Sequence, residues 1–206
     1  MQPTAGSTAD EVLAIALRRL APRPGEVFAD IGCGSGKVSI AASPLVREVY
    51  ALDRRPEAVA WAREQARAAG VGNPAKAGRP TDAVDAQCAG DATFVGNPTG
   101  VGNIRFLEGE APGALAGLPA PACAFIGGSA NLAAVIGALA AMGTGRMVAS
   151  CVRIETLAEA VLAMRELGIF REAILVQVAR SKDLAGGTMF VPANPVYLVF
   201  GGAGLC

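Results

Sequence analysis

The feature that most constrains this chain is the stretch from residue 27 to residue 36, Val-Phe-Ala-Asp-Ile-Gly-Cys-Gly-Ser-Gly. A short apolar run ends in an acid, three glycines follow at alternate positions, and the apolar pattern resumes in Val38-Ser39-Ile40-Ala41-Ala42. This predicts a buried strand, a tight turn and the first turn of a helix. Glycine lets backbone approach a ligand closely, and a helix N-terminus offers it unpaired N–H groups. The spacing Gly32-x-Gly34-x-Gly36 departs from the dinucleotide fingerprint, whose third glycine would fall one place later, at Lys37.

The 206 residues suffice for one domain or slightly more. Basic and acidic side chains balance, so nothing marks the chain as a binder of nucleic acid or of an anionic membrane. Histidine is absent. That removes Ser–His and Cys–His nucleophile pairs and argues against a metal site, catalytic zinc in particular. Chemistry must then come from positioning, from carboxylates, hydroxyls and Arg, or from a cofactor with its own reactive group. The longest weakly apolar segment, 130–142, is far short of the ~20 residues that cross a bilayer. The first ten residues lack the basic start and apolar centre of a secretory signal. Five scattered cysteines (33, 88, 123, 151, 206) without a Cys-x-x-Cys pair read as reduced thiols of a cytoplasmic protein.

In chain order, Thr8 is an expected N-cap for a helix over 9–20, with Glu11 completing a capping box. A short helix after the glycine turn runs to Ser43-Pro44, and a second strand, 48–52, ends at Asp53. An acid there can accept hydrogen bonds from both hydroxyls of a ribose. It lies close to the ~20-residue separation usual in nucleotide-binding folds. Capping the helix expected over 56–69 is the other role open to it. Residues 71–100 read as an insertion in a surface loop, a lid or a functionless addition. They are rich in Gly and Pro, and Gly70-Val-Gly-Asn73 recurs as Gly100-Val-Gly-Asn103. Removing them would leave an ordinary helix-to-strand turn. Strands are expected over 104–107, 122–126, 146–151, 172–179 and 196–200, helices over 131–141 and 154–167, and a glycine-rich loop over 183–194. Alternating strands and helices imply an α/β fold with a doubly wound parallel sheet. The last two strands, with no helix between them, should pair antiparallel.

Asp30 with Gly32, Gly34 and Gly36 resembles the first motif of class I S-adenosylmethionine (SAM) methyltransferases. More narrowly, the chain resembles the decarboxylating precorrin C15-methyltransferases, found alone or as the C-terminal half of precorrin-6Y C5,15-methyltransferase. The residues that carry this include Gly6-Ser-Thr8-Ala-Asp-Glu-Val12, the 30–36 motif and Val49-Tyr-Ala-Leu-Asp-Arg-Arg-Pro-Glu-Ala58. Leu107-Glu-Gly-Glu-Ala-Pro112, Phe125-Ile-Gly-Gly-Ser129, Ile154-Glu-Thr156, Ala179-Arg180, Gly187-Thr-Met189 and Asn194-Pro-Val196 continue it. The segment 71–100 is foreign to the pattern, and Glu110 stands where the family usually has Asp.

The resemblance implies a Rossmann-like fold with a seven-stranded, mostly parallel sheet whose last strand is antiparallel. It implies SAM as cofactor, held by Thr8, Asp30, Gly32, Cys33, Gly34, Ser35, Gly36, Asp53, Arg54, Glu110 and Ala111, with Glu110 beside the adenine. The substrate would be a precorrin tetrapyrrole, methylated at carbon 15 as an acetate side chain is lost as CO2. Gly127, Gly128, Ser129, Arg153, Arg180 and Thr188 would form the reacting site, Arg153, Arg180 and Lys182 being the cations for the substrate's carboxylates. A homo-oligomer is implied, as is a C5-methylating domain fused or in partnership. Another class I methyltransferase, acting on a small molecule, protein or RNA, is the alternative. A base-flipping amino-methyltransferase needs Asn/Asp-Pro-Pro-aromatic after the fourth strand, where this chain has Phe125-Ile-Gly-Gly.

Overall fold

The computed structural model describes residues 8–72, 99–128 and 130–203. Its framework is a run of strands too apolar to face water on either side. β1 (Val27–Ile31) is buried along its whole length, as a central parallel strand must be when helices cover both faces. The chain runs α1 (Asp10–Leu20), β1, α2 (Lys37–Ala42), β2 (Glu48–Asp53), α3 (Pro56–Ala68), β3 (Thr99–Val101) and β4 (Ile104–Glu108). It continues through β5 (Cys123–Ile126), α4 (Leu132–Ala141), β6 (Arg146–Cys151), α5 (Ile154–Glu166), β7 (Phe170–Val176), β8 (Ala179–Leu184), β9 (Gly187–Pro192) and β10 (Val196–Gly201).

The main sheet has the order β3-β4-β2-β1-β5-β6-β10-β7. β4, β2, β1, β5 and β6 are parallel, and β10 runs antiparallel to both β6 and β7. One core packs Phe28, Phe106, Phe125 and Phe200 against Val12, Ala16 and Leu20 of α1 and Ala62 and Ala66 of α3. The other packs Ile31, Ile126 and Met147 against Leu132, Ile136 and Leu139 of α4 and Ala160 and Met164 of α5. Each fully buried Phe or Leu contributes roughly 1.5–3 kcal/mol. The α/β class, the antiparallel last strand and the seven expected strands are all present.

Several local expectations are corrected. The sheet has an eighth strand, β3, which pairs antiparallel with β4 through the turn at Gly102-Asn103. The expected sixth strand, 172–179, begins two residues earlier and ends three residues earlier, as β7. The expected loop 183–194 is largely a hairpin of β8 and β9, closed by Ala185 (φ 46°) and Gly186 (φ 84°). Positive φ at both central residues matches the twist of paired strands. Its residues are exposed throughout, so no alternation toward a core betrays it. Thr8 is not the N-cap of α1: that residue is Ala9, with no side-chain cap bond. The Thr8 carbonyl instead accepts from Lys37 Nζ at 2.8 Å, and Lys37 also pairs with Asp10 at 2.8 Å.

Of the suspected insertion, residues 73–98 fall outside the described part. Gly72, just before them, packs on the turn that follows β3: a Cβ on Gly72 would lie 2.7 Å from Gly102 Cα. Asn103 next to it donates to the carbonyls of Ser43 and Val46, which ties this corner to the segment leading into β2. Among the described residues no helix is long and apolar enough to cross a membrane. Cys33, Cys123 and Cys151 are buried free thiols, while Cys88 and Cys206 lie outside the described residues.

Candidate active site

The strand order reverses between β1 and β5, and the loops leaving their carboxyl ends turn to opposite faces of the sheet. Open α/β sheets bind ligands in the crevice this opens. Here it is a cleft of about 390 Å³, walled by the glycine turn, the ends of β2 and β5, and the segment Gly109–Ala111.

The glycines divide into two kinds. Gly32 (φ +78°) lies where the turn after β1 meets the loop after β5, and a Cβ there would stand 2.6 Å from the nitrogen of Gly128. Gly127 and Gly128 donate back to the Ile31 carbonyl at 2.8 and 3.3 Å, and a Cβ on Gly127 would press on the Gly32 carbonyl at 3.2 Å. These glycines let two loops close on one another at the floor of the cleft. Gly36 serves elsewhere. A Cβ on it would lie 2.9 Å from Ala62 Cβ, so it seats α2 on α3 and is not among the residues lining the cleft.

Asp53 ends β2 with 5% of its surface exposed. Its Oδ2 accepts from the Gly34 N–H at 3.0 Å and from Arg55 Nη2 at 3.2 Å. Its Oδ1 accepts from the Arg55 N–H at 3.0 Å and from Arg55 Nε at 3.1 Å. Burial raises the pKa of this carboxyl, but the bonds from Arg55 and Gly34 outweigh it and hold it below the ordinary range. Asp30 behaves oppositely. Burial pushes it up to about 7, against the hydrogen bonds from Ser39. Its Oδ2 accepts from Ser39 Oγ at 2.5 Å, while Oδ1 is buried without a hydrogen-bond partner among the described residues. The thiol of Cys33 is raised well above the normal range by burial, so it is a wall rather than a nucleophile.

Thr8, Ser35, Arg54, Glu110 and Ala111 also line the cleft. The longer Glu110 side chain reaches Asn131 Nδ2 at 3.2 Å and stands 3.9 Å from Arg54 Nη1. Ser129 lies outside the described residues.

The other expected residues are not drawn into this cleft. Arg153, just past β6, is 3.4 Å from Glu155 and largely exposed. Arg180 makes a two-pronged bond to Glu11 of α1 at 2.8 and 3.0 Å. Cross-strand pairing puts Arg180 and Lys182 on one hairpin face with Val191 and Met189, whereas Thr188, opposite Asp183, is on the other. Arg180 and Thr188 therefore point to opposite sides. Sequence reasoning missed Arg55 as the partner of Asp53. It also missed Lys37, which fastens the start of α1 to α2, and Ser39, the partner of Asp30. Only Arg55, two residues beyond the acid, left a local signal.

The family model of the precorrin methyltransferase domain matches residues 5–99 and 97–200. The chain belongs to the precorrin methyltransferase family. Among its relatives is a probable cobalt-precorrin-6B C(15)-methyltransferase (decarboxylating) of Methanosarcina acetivorans, 36% identical over 95% of this chain and 93% of that one. A precorrin-6Y C(5,15)-methyltransferase [decarboxylating] of Sinorhizobium is 35% identical over 92% of this chain, which spans 39% of it. The solved precorrin 8W decarboxylase of Methanobacterium thermoautotrophicum matches with a TM-score of 0.78 and 29% identity, over 96% of this chain and 92% of that one. The fold is that of the class I SAM methyltransferases, with β3 as an additional edge strand.

Proposed function

We propose that this chain is a SAM-dependent methyltransferase that methylates a precorrin at carbon 15 and releases an acetate side chain as CO2. The observation that carries the reading is the acid at the end of β2. Asp53 is held ionised beside the Gly34 N–H, on the wall of the cleft. A strand-end acid beside a glycine turn favours a ribose. SAM carries such a ribose, so the residues fit it. When bound it supplies a methyl group already activated on a sulfonium.

The protein's own work is then alignment, which can lower a barrier by roughly 7–11 kcal/mol. Asp53 and Gly34 would hold the ribose, Gly109–Ala111 would line the adenine side, and Gly32 with Gly127 and Gly128 would set the floor. Thr8 is kept at the mouth by Lys37. No strong base is needed if the attacking carbon belongs to an electron-rich tetrapyrrole, which agrees with a chain lacking histidine. The substrate would lie along the carboxyl ends of β6 and β7, from which the β8–β9 hairpin also springs. There Val152 and Ile154 are exposed (56% and 68%) on either side of Arg153, an apolar strip with a cation for a flat, carboxylate-edged molecule. Lys182 would be a second cation, while Arg180 is committed to fixing the hairpin on α1.

The exposed hairpin also supports a homo-oligomer. Two strands alone are marginally stable in water, and Phe190 (69% exposed) and Leu184 (59%) offer apolar surface for a second copy. We further place this chain in the cytoplasm, with a C5-methylating domain fused to it or in partnership, and treat 71–100 as an insertion into a single domain. The test is incubation with SAM and candidate precorrins, with mass spectrometry for one methyl gained and one CO2 lost. Turnover without CO2 loss, or none with any tetrapyrrole while cofactor still binds, would favour another class I methyltransferase.

A further inference from the structure

Asp53 accepts four hydrogen bonds, all that the two oxygens of a carboxylate take in good geometry. Two come from backbone N–H groups, of Gly34 on Oδ2 and of Arg55 on Oδ1, which the turns hold in place. The other two come from a single side chain: Arg55 Nε donates to Oδ1 at 3.1 Å and Nη2 to Oδ2 at 3.2 Å. The guanidinium therefore sets one donor on each oxygen, as a fork does. The vicinal hydroxyls of a ribose would make the same pair of bonds, one to each oxygen.

We infer that Arg55 is an internal competitor for the ribose, so that guanidinium and diol exchange on Asp53 and Arg55 selects ligands able to replace both of its donors. The inference rests on the SAM reading of the cleft. Asp53 is fixed at the end of a strand, with 5% of its side chain exposed, whereas the Arg55 side chain is 34% exposed and free to leave on the solvent side. Arg55 itself lies in extended backbone between β2 and α3, so the side chain can move without disturbing either element. Glu57, in the first turn of α3, also acts on its charge, and gives the departing cation a second carboxylate to face. A ligand with one hydroxyl would remove two bonds and return one, leaving a buried acceptor unpaired. A ligand with none would leave the ion pair closed.

The test compares wild type with Arg55→Ala by calorimetry, using S-adenosylhomocysteine, adenosine and 2′,3′-dideoxyadenosine as probes. Arg55→Ala should bind the two diol ligands about two- to five-fold tighter, the range in which partly exposed ion pairs hold their closed form. The dideoxy ligand should gain nothing. In the unmutated protein, the Arg55 Nε–H resonance should lose its hydrogen-bonded shift and its protection as S-adenosylhomocysteine saturates the site. This readout does not depend on how the variant folds. Unchanged or weaker diol binding in Arg55→Ala, or an Nε–H signal indifferent to ligand, would overturn the inference. Absence of S-adenosylhomocysteine binding by both proteins would remove the SAM reading and this inference with it, a pattern unlike either of those.

Discussion

The two sides of the carboxyl edge are built differently. At β1, β2 and β5 the strands are buried toward their carboxyl ends and the loops touch through glycine. At β6 and β7 the edge carries exposed side chains, Val152, Arg153 and Ile154, and a hairpin with no covered face. On the first side, geometry is over-determined by the core, as suits a part common to a whole fold. On the second, shape depends on a few ion pairs, such as Arg180 to Glu11, and on whatever the surface meets. Precision and adaptability are thus separated along one sheet edge.

The sharpest way to break this contrast is to disturb one side and read the other. Gly32→Ala adds a Cβ 2.6 Å from Gly128 N at a residue with φ +78°, and the left-handed conformation alone costs an L side chain roughly 1–2 kcal/mol. We expect about 2–4 kcal/mol less stability by urea unfolding, within the range of severe single substitutions. A loss under 0.5 kcal/mol would show the floor to be pliable.

Next in size, Asp53→Ala should weaken S-adenosylhomocysteine binding by about 1.5–3 kcal/mol, the range for hydrogen bonds to a charged group. Release of Arg55 should keep it near the lower figure. Calorimetry giving unchanged affinity would remove the ribose from Asp53.

Asp30 gives a pH signature confined to the rigid side. Its folded pKa, about 7, lies above the unfolded 3.8, so between those values the native state binds more protons and stability falls as pH rises. Asp30→Asn keeps the acceptor for Ser39 and should flatten that decline between pH 5 and 8. Parallel stability curves for the two proteins would show that Asp30 does not titrate there.

The smallest effects belong to the exposed side. Arg153→Ala should raise the KM for the tetrapyrrole several-fold, about 0.5–1 kcal/mol for an exposed charge, and leave S-adenosylhomocysteine affinity within about twofold. Phe190→Ser should change unfolding free energy by less than about 0.5 kcal/mol while weakening self-association in sedimentation. Equal loss on both sides in either variant would mean that the two regions are one mechanical unit.

The same division decided what the sequence could tell. β1, the glycine turn and Asp53 are legible because burial writes a continuous apolar run and a turn writes glycine, both over a few adjacent residues. Gly36 looked like a ligand residue because spacing cannot separate contact with a ligand from contact with Ala62, 26 positions away. Asp30 stands out in the motif, but its bond to Ser39 depends on how α2 folds back over β1. The hairpin reads as a loop in the sequence because strands without a covered face lack the alternation that marks strands. Arg153 and Arg180 looked alike as cations after strands, yet one meets the Glu155 beside it and the other a helix 169 positions earlier in the chain.

The meeting of Gly72 and Gly102 has a practical consequence. The described chain stops at Gly72 and resumes at Thr99, three residues before the Gly102 that Gly72 touches, so the two ends stand within about 15 Å of each other and the body asks little of the length between them. The entropy of closing such an excursion grows by only about 0.6 kcal/mol for each doubling of its length. This corner is a socket: a fluorescent reporter, an affinity tag or a tether to a second enzyme could be spliced there, or new chain termini opened, at the sheet edge where β3 and β4 lie and away from β6 and β7, with the cleft left as it is.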